Sequence, residues 1–400
     1  MENKTFRIKK IHLILVLILS FLINFDSAIV IPIIANYAVN LGATVFFATI
    51  IVGIYSIFHI PSNIFLGRLV DKFGRKNFLV LGIFFDGISI FLYFLAMNPI
   101  FLLIIRVVHG IGGGFGGPST MSYLSDAYTK EKSGKGMAFY GISVAFSMLL
   151  GFLIGGLFSS FIGYKNLFLI ISIIIFIFLL LSFSLPTTYK PEKVKLNTKN
   201  ELRIFSKLIT NKNLLYPYIS ILVIFFNLGI ITASYTIYLK LYNYSDAQIG
   251  MILSIMVILS IIIHYPAGKL SDKIGKSKIL IIGLFLSGIS FLILYISPLY
   301  IFPYLGMVLF GLAHGCIYPT AGGMVKDESS IENRGMATGI FYALNVAGVA
   351  IGSPISGFIV VLSDFRGAIF IGIIIPLFFS FILFTETIIF ISRNRNRRMG

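Results

Sequence analysis

Charge is scarce in this sequence: 12% of its 400 residues are Asp, Glu, Lys or Arg, and 57% are hydrophobic. Soluble domains carry about 25% charged residues, so a water-soluble globular chain is excluded. Cysteine is scarcer still. Cys316 stands alone, which rules out an intramolecular disulfide and leaves it as a small wall residue in an apolar run. Histidine is limited to positions 12, 59, 109, 264 and 314, none paired at the spacing of metal ligands, so no metal site is expected. No Ser/His/Asp cluster, paired intramembrane Asp motif or His-rich box is visible in the sequence. An enzyme is therefore not expected, and no cofactor is called for.

What the chain has instead is long apolar runs, at 11–34, 44–66, 77–97, 100–122, 136–160, 166–185, 214–239, 249–267, 278–296, 301–325, 335–361 and 368–391. Each is about the 20 residues that an α-helix needs to cross a bilayer core at 1.5 Å per residue. The runs are twice too long for barrel strands and do not alternate. The expected fold class is an all-α integral membrane protein with twelve transmembrane helices. The start, "MENKTFRIKK" before an apolar run, imitates a secretory signal. No small-residue cleavage site follows it, so it reads as an uncleaved first helix.

A net charge of +17 would suggest nucleic-acid binding in a soluble protein. Position decides otherwise. With the N-terminus inside, every Lys and Arg falls in a cytoplasmic segment except Lys165, Lys240 and Arg366, which lie outside, and Arg106, which lies within the fourth helix. This is the positive-inside asymmetry. It predicts a multi-pass protein of the cell membrane with both termini cytoplasmic, the lipid bilayer as its surroundings and no nucleic-acid partner.

The decapeptide "GRLVDKFGRK" at 67–76 returns as "GKLSDKIGKS" at 268–277, 201 positions later. The offset holds without a gap through Gly82/Gly283, Gly110/Gly311, Gly114/Gly315, Pro118/Pro319, Asp126/Asp327, Gly151/Gly352 and Gly156/Gly357. That register marks a duplication. Six crossings separate the copies, so the repeats run parallel, and a substrate site is expected where they face each other. The expected domains are an N-terminal six-helix half (1–185), a cytoplasmic linker (186–213) with a short surface helix at 201–209, and a C-terminal half with a basic tail (214–400).

Within each decapeptide, a reversal between spans calls for glycines at 67 and 74, while Arg and Lys hold the loop inside. Six plus six helices joined in this way, with "RVVHGIGGG" in the fourth helix and "ENRGMATG" entering the eleventh, resemble the major facilitator superfamily. Its loop signature reads roughly G-x-L-x-D-R/K-x-G-R-R/K. The resemblance implies a cytoplasmic gate made by Gly67, Asp71, Gly74, Arg75, Asp272 and Lys276. Asp71 would dock near Gly335 at the start of the eleventh helix, and Asp272 near Gly136 in the fifth. Lys276 replaces the planar fork of Arg75, so the second latch is expected to be looser.

Ionisable groups at the centre of a span cost about 2.5 to 3.5 kcal/mol on insertion scales and are functional candidates. Asp26 lies about 22 Å into the first helix and Arg106 about 9 Å from the other side in the fourth, which places them at one depth. They are expected to form an ion pair that couples transport to protons, because removing the cation favours protonation of the acid. Asn227 is the neutral repeat mate of Asp26. His109, Asn227, His314 and Asn345 are the expected lining of the substrate cavity. Asp86 is expected to be structural and hydrogen-bonded. The "GIGGGFGGP" run at 110–118 lies inside a span and reads as close helix packing.

Departures from the family limit the subfamily. Drug:proton antiporters usually carry G-P-x-x-G-G in the fifth helix, where this chain has "GFLIGG" with Phe152 in the proline's place, and "GSPISG" with Pro354 in the repeat. "LPTTYKPEK" at 185–193 does not match the sugar-porter signature P-E-S-P-R. The functional expectation is a monomeric secondary active transporter that works by alternating access, with proton-coupled efflux of small amphipathic or weakly polar solutes. Uptake of a sugar or organic anion is the alternative, since Arg106 suits a carboxylate. A sensor that kept the fold without transport is the third.

Overall fold

The computed structural model describes residues 10–126, 133–187, 198–330 and 332–399. Every element among them is helical. In the first repeat they are α1 (Lys10–Val30), α2 (Ile34–Asn40), α3 (Val45–Phe73), α4 (Arg75–Leu95), α5 (Pro99–Asp126) and α6 (Ser133–Ser182). The linker contributes α7 (Thr198–Ile209). The second repeat has α8 (Lys212–Ile230), a π-helical turn (Ile231–Tyr235), α9 (Thr236–Leu241), α10 (Asp246–Ile274), α11 (Lys276–Ile296), α12 (Phe302–Glu328), α13 (Arg334–Leu362) and α14 (Phe365–Met399).

Eleven helical stretches are long and apolar enough to cross a membrane, and one of them, Phe139–Ser182, has 44 residues. At 1.5 Å per residue it would reach about 66 Å, twice a hydrocarbon core. It breaks at Gly163, whose φ of 80° and ψ of 162° leave the helical region. Twelve crossings result. Large apolar side chains such as Phe161, Leu180, Phe378 and Phe381 point outward, as they do where lipid replaces water.

The two decapeptides take one shape. Glycine was expected to turn the chain at both 67 and 74, but α3 continues through 67 to Phe73, and the reversal is made by Gly74 alone at φ 99°. Gly275 does the same at φ 102° between α10 and α11. An L side chain is strained at such angles, and glycine is not.

By chain proximity the molecule divides into two units, Met1–Lys195 with Leu239–Ser254, and Leu196–Tyr238 with Ile255–Gly400. In the first, α1 lies on α6 where small residues permit contact: a Cβ on Gly155 would come within 2.5 Å of the Ile29 carbonyl. Ser143 and Ser147 donate to Leu17 O at 3.1 Å and Phe21 O at 2.8 Å. In the second, α13 meets α8 in the same way, with Gly352 against the Phe226 carbonyl. The glycine-rich run packs α5 on α3, since a Cβ on Gly110 would fall 2.4 Å from Tyr55 O. Gly311 approaches the Met256 carbonyl of α10 likewise.

The first span of each repeat is interrupted. Between α1 and α2 the residues 31–33 form a turn at Pro32, because proline has no amide to donate and its ring crowds the preceding turn. Counted 201 positions on, that site falls within the π-helical turn of the α8 span.

Candidate functional site

The polar interior of the first unit is built by four helices around Asp26, which is completely buried on α1. One carboxylate oxygen accepts from the Ser27 amide. The other lies 3.1 Å from His109 Nε2 on α5. His109 Nδ1 in turn lies 2.9 Å from the Tyr93 hydroxyl on α4. Carboxylate, imidazole and phenol thus form a chain across three helices, and a histidine between two oxygen groups can pass a proton by exchanging its ring tautomer.

Arg106 does not complete the expected pair with Asp26. One turn from His109, it donates from Nε to Ile51 O and from Nη2 to Val52 O, both at 3.1 Å, and lies over the Tyr55 ring with 4.5 Å to the centroid. The guanidinium therefore binds α5 to the backbone of α3, and His109 takes the place beside Asp26. Tyr55 closes the ring of contacts. Its hydroxyl is 3.1 Å from Ser27 Oγ, and its ring stands edge-on to His109 at 5.0 Å and stacks on His59 at 5.3 Å.

Asp86 on α4 corrects a second expectation. It is 2% exposed, yet neither carboxylate oxygen has a hydrogen-bond partner. One oxygen each of Asp86 and Asp26 and a ring nitrogen of His109 all lie within 4.8 Å of one another. Sequence spacing hides this cluster because its members come from three helices. Tyr55, Tyr93 and Ser27 were not anticipated, for tyrosine and serine in an apolar span carry no signal until their neighbours are known.

The other expected residues are dispersed. Asn227 on α8 is buried and donates to Ser287 Oγ at 3.1 Å and Gly372 O at 3.0 Å. His314 on α12 binds Ser260 Oγ at 2.7 Å through Nδ1 and stacks on Tyr318 at 5.4 Å, with Phe225 edge-on at 5.5 Å. Asn345 on α13 is buried, with its side-chain oxygen unpartnered. Glu386 accepts from the Tyr216 hydroxyl at 2.8 Å. Among the gate residues, Arg75 donates to Ser122 O on α5 at 2.9 Å, Lys276 pairs with Asp327 on α12, and Asp272 is exposed. Each of these two contacts lies within one unit. Gly67 lies inside α3, and the side chain of Asp71 lies outside the described residues.

A family model described as Major Facilitator Superfamily matches residues 16–246 and 218–398. The chain belongs to the major facilitator superfamily. It is a multi-pass membrane transporter, and transporters of this superfamily are not enzymes. Multidrug resistance protein MdtG of Escherichia coli O9:H4 is 28% identical over 376 residues, which cover 89% of this chain and 90% of MdtG. The multi-drug resistance efflux pump PmrA of Streptococcus pneumoniae is 25% identical over 357 residues, covering 84% and 87%. Among solved structures, a bacterial homologue of the human lysosomal transporter Spinster superposes with TM-score 0.80 at 13% identity, covering 96% of this chain and 98% of that one. At that identity the likeness concerns the superfamily fold alone.

Proposed function

We propose that the protein exports small amphipathic or weakly polar solutes in exchange for protons. Its halves, 1–185 and 214–400, joined by 186–213, would work by alternating access as a monomer in the cell membrane with both termini cytoplasmic. The observation that carries this reading is the buried chain Asp26–His109–Tyr93, at 3.1 and 2.9 Å. Ionisable groups at membrane depth are retained for ion or proton pathways. The efflux relatives support the direction, and the aromatic wall of Phe225, His314 and Tyr318 suits apolar, flat solutes. The uptake alternative rested on an Arg106 free for a carboxylate, and here two of its N–H groups donate to Ile51 O and Val52 O.

In this scheme a proton on the Asp26–His109 pair accompanies one orientation of the carrier, and its release accompanies the other. Asp71 and Asp272, with their glycines and the neighbouring Arg75 and Lys276, would close the cytoplasmic side. His109, Asn227, His314 and Asn345 would contribute to solute binding directly or through the helices they join.

The test is transport by the purified protein in liposomes with an acid interior and a proton-sensing dye inside, against a panel of amphipathic fluorescent compounds. Expected is accumulation of a compound together with alkalinisation of the lumen, both abolished when the gradient is collapsed. Compound movement that ignores the gradient and moves no protons would overturn the coupling.

A further inference from the structure

We infer that Asp86 and Asp26 share one proton, and that this shared proton is the one exchanged during transport. The second clause rests on the proton-coupled reading above. The first stands on geometry alone.

A carboxylate that is almost wholly buried with neither oxygen hydrogen-bonded is an unusual state, because a buried charge without a partner is strongly destabilising. Asp86 is in that position, and an oxygen of Asp26 lies within 4.8 Å of one of its own. The charges facing the two acids do not neutralise them. From α1 come Asp26 and Ser27, from α3 Tyr55 and His59, from α4 Tyr93, and from α5 Arg106 and His109. The sixth helix meets α4 at Gly87 through Ile175 and Phe176. Arg106 supplies one positive charge but ion-pairs with neither acid. With His109 neutral, two carboxylates and one guanidinium leave one negative charge in excess, and a single proton removes it.

The second repeat shows what those two positions do when no proton is involved. The mates of Asp26 and Asp86, 201 positions on, are Asn227 and Ser287, and they are hydrogen-bonded at 3.1 Å. There the amide supplies the donor. Two carboxylates carry no donor, so the contact that the fold builds at this place can form in the first unit only when one of them holds a proton. The Asp86 carboxyl then donates to Asp26, while His109 receives the proton from that pair and Tyr93 fixes its ring. Release leaves both acids ionised and drives them apart, which gives α1 and α4 a reason to move on deprotonation.

The first readout is the infrared spectrum of the purified full-length protein in lipid nanodiscs, recorded across a pH series in light and heavy water. The wild type should show the carbonyl band of a neutral carboxylic acid with an isotope shift. Asp86→Asn and Asp26→Asn should each lose it, since the introduced amide provides the donor. A wild-type spectrum without the band, or a band unchanged in Asp86→Asn, overturns the shared proton and places the charge elsewhere, with His109 the first alternative. Should Asp86→Asn fail to fold, the double variant Asp26→Asn/Asp86→Ser recreates the pair already formed by Asn227 and Ser287, and it should fold without the band. The second readout is transport. Asp86→Asn should stop proton movement while keeping solute exchange within about twofold of the wild type. If the wild type moves no protons, the coupled reading fails, and the spectrum still decides whether the proton is shared. A coupled wild type with an equally coupled Asp86→Asn sinks the exchange role alone.

Discussion

The two repeats share a backbone and differ in chemistry. Both turn on one glycine between their second and third spans, both pack their first span on their fifth through small residues, and both carry a basic residue directly after the turn that bonds a helix of the same unit. The interiors diverge completely. Where the first has Tyr55, Tyr93, Arg106 and His109, the second has Met256, Leu294, Met307 and Phe310, all buried. Duplication kept the parts that let helices meet, while Asp26, Asp86 and Arg106 have the uncharged mates Asn227, Ser287 and Met307 in the second copy. Imidazole shows the same economy in mirrored form. His59 on α3 lies near Gly113 on α5, while their mates are Ser260 on α10 and His314 on α12, so the ring fills one place from opposite helices.

The comparison can be pressed by writing second-repeat residues into the first. Asp26→Asn, which copies Asn227, should have the largest effect: gradient-driven transport falls to background in liposomes while exchange of solute for solute persists. Retained coupling would mean that the ionisable interior of the first repeat is ornamental. Arg106→Met, copying Met307, should remove two charge-assisted hydrogen bonds to the Ile51 and Val52 carbonyls, which the helix amides still satisfy, at about 1.5–3 kcal/mol each. A lowered thermal midpoint in detergent would report it, and Arg106→Lys should lie between that variant and the wild type. The reverse side of the comparison predicts equality. Gly74→Ala and Gly275→Ala should each cost roughly 1–3 kcal/mol for a backbone with positive φ and extended ψ, and clearly unequal midpoints would show that the two turns are not equivalent. The smallest change is Tyr93→Phe, which removes the hydroxyl at His109 for about 0.5–1.5 kcal/mol. Measured stability should drop by that much and coupled transport should slow, with total binding of solute unchanged.

Much of this architecture can be read in the sequence because membrane-spanning length and repeat register are properties of the chain alone. The twelve apolar runs locate the crossings, and the helix expected at 201–209 is present as α7, starting at Thr198. The run of glycines from Gly110 does pack helices closely. Partnerships inside the first unit were not legible. Depth placed Asp26 and Arg106 together, but depth along a helix says nothing of the direction in which a side chain leaves it, and the arginine faces α3 while the histidine one turn away faces the acid. Asp86 looked like an ordinary buried polar residue, since an unfilled hydrogen bond is a fact about neighbours. The extent of α3 was misjudged for a related reason: a glycine tolerates a turn without requiring one, and 67 is helical.

The interruption at Pro32 makes the first span two rods instead of one beam. The longer rod, α1, bears Asp26 and is fastened along α6 by Ser143 and Ser147. The shorter rod, α2, is tied to the far end of α4 by the Tyr37 hydroxyl, which donates to Tyr93 O at 2.9 Å and Ala96 O at 3.4 Å. The joint at Pro32 breaks the run of helical hydrogen bonds, so the two rods can change their angle without either one bending. The second repeat keeps its joint as a π-helical turn, continuous with the helix and therefore a stiffer spring. Pro32 thus gives the first repeat a hinge at a place where the second repeat stays helical.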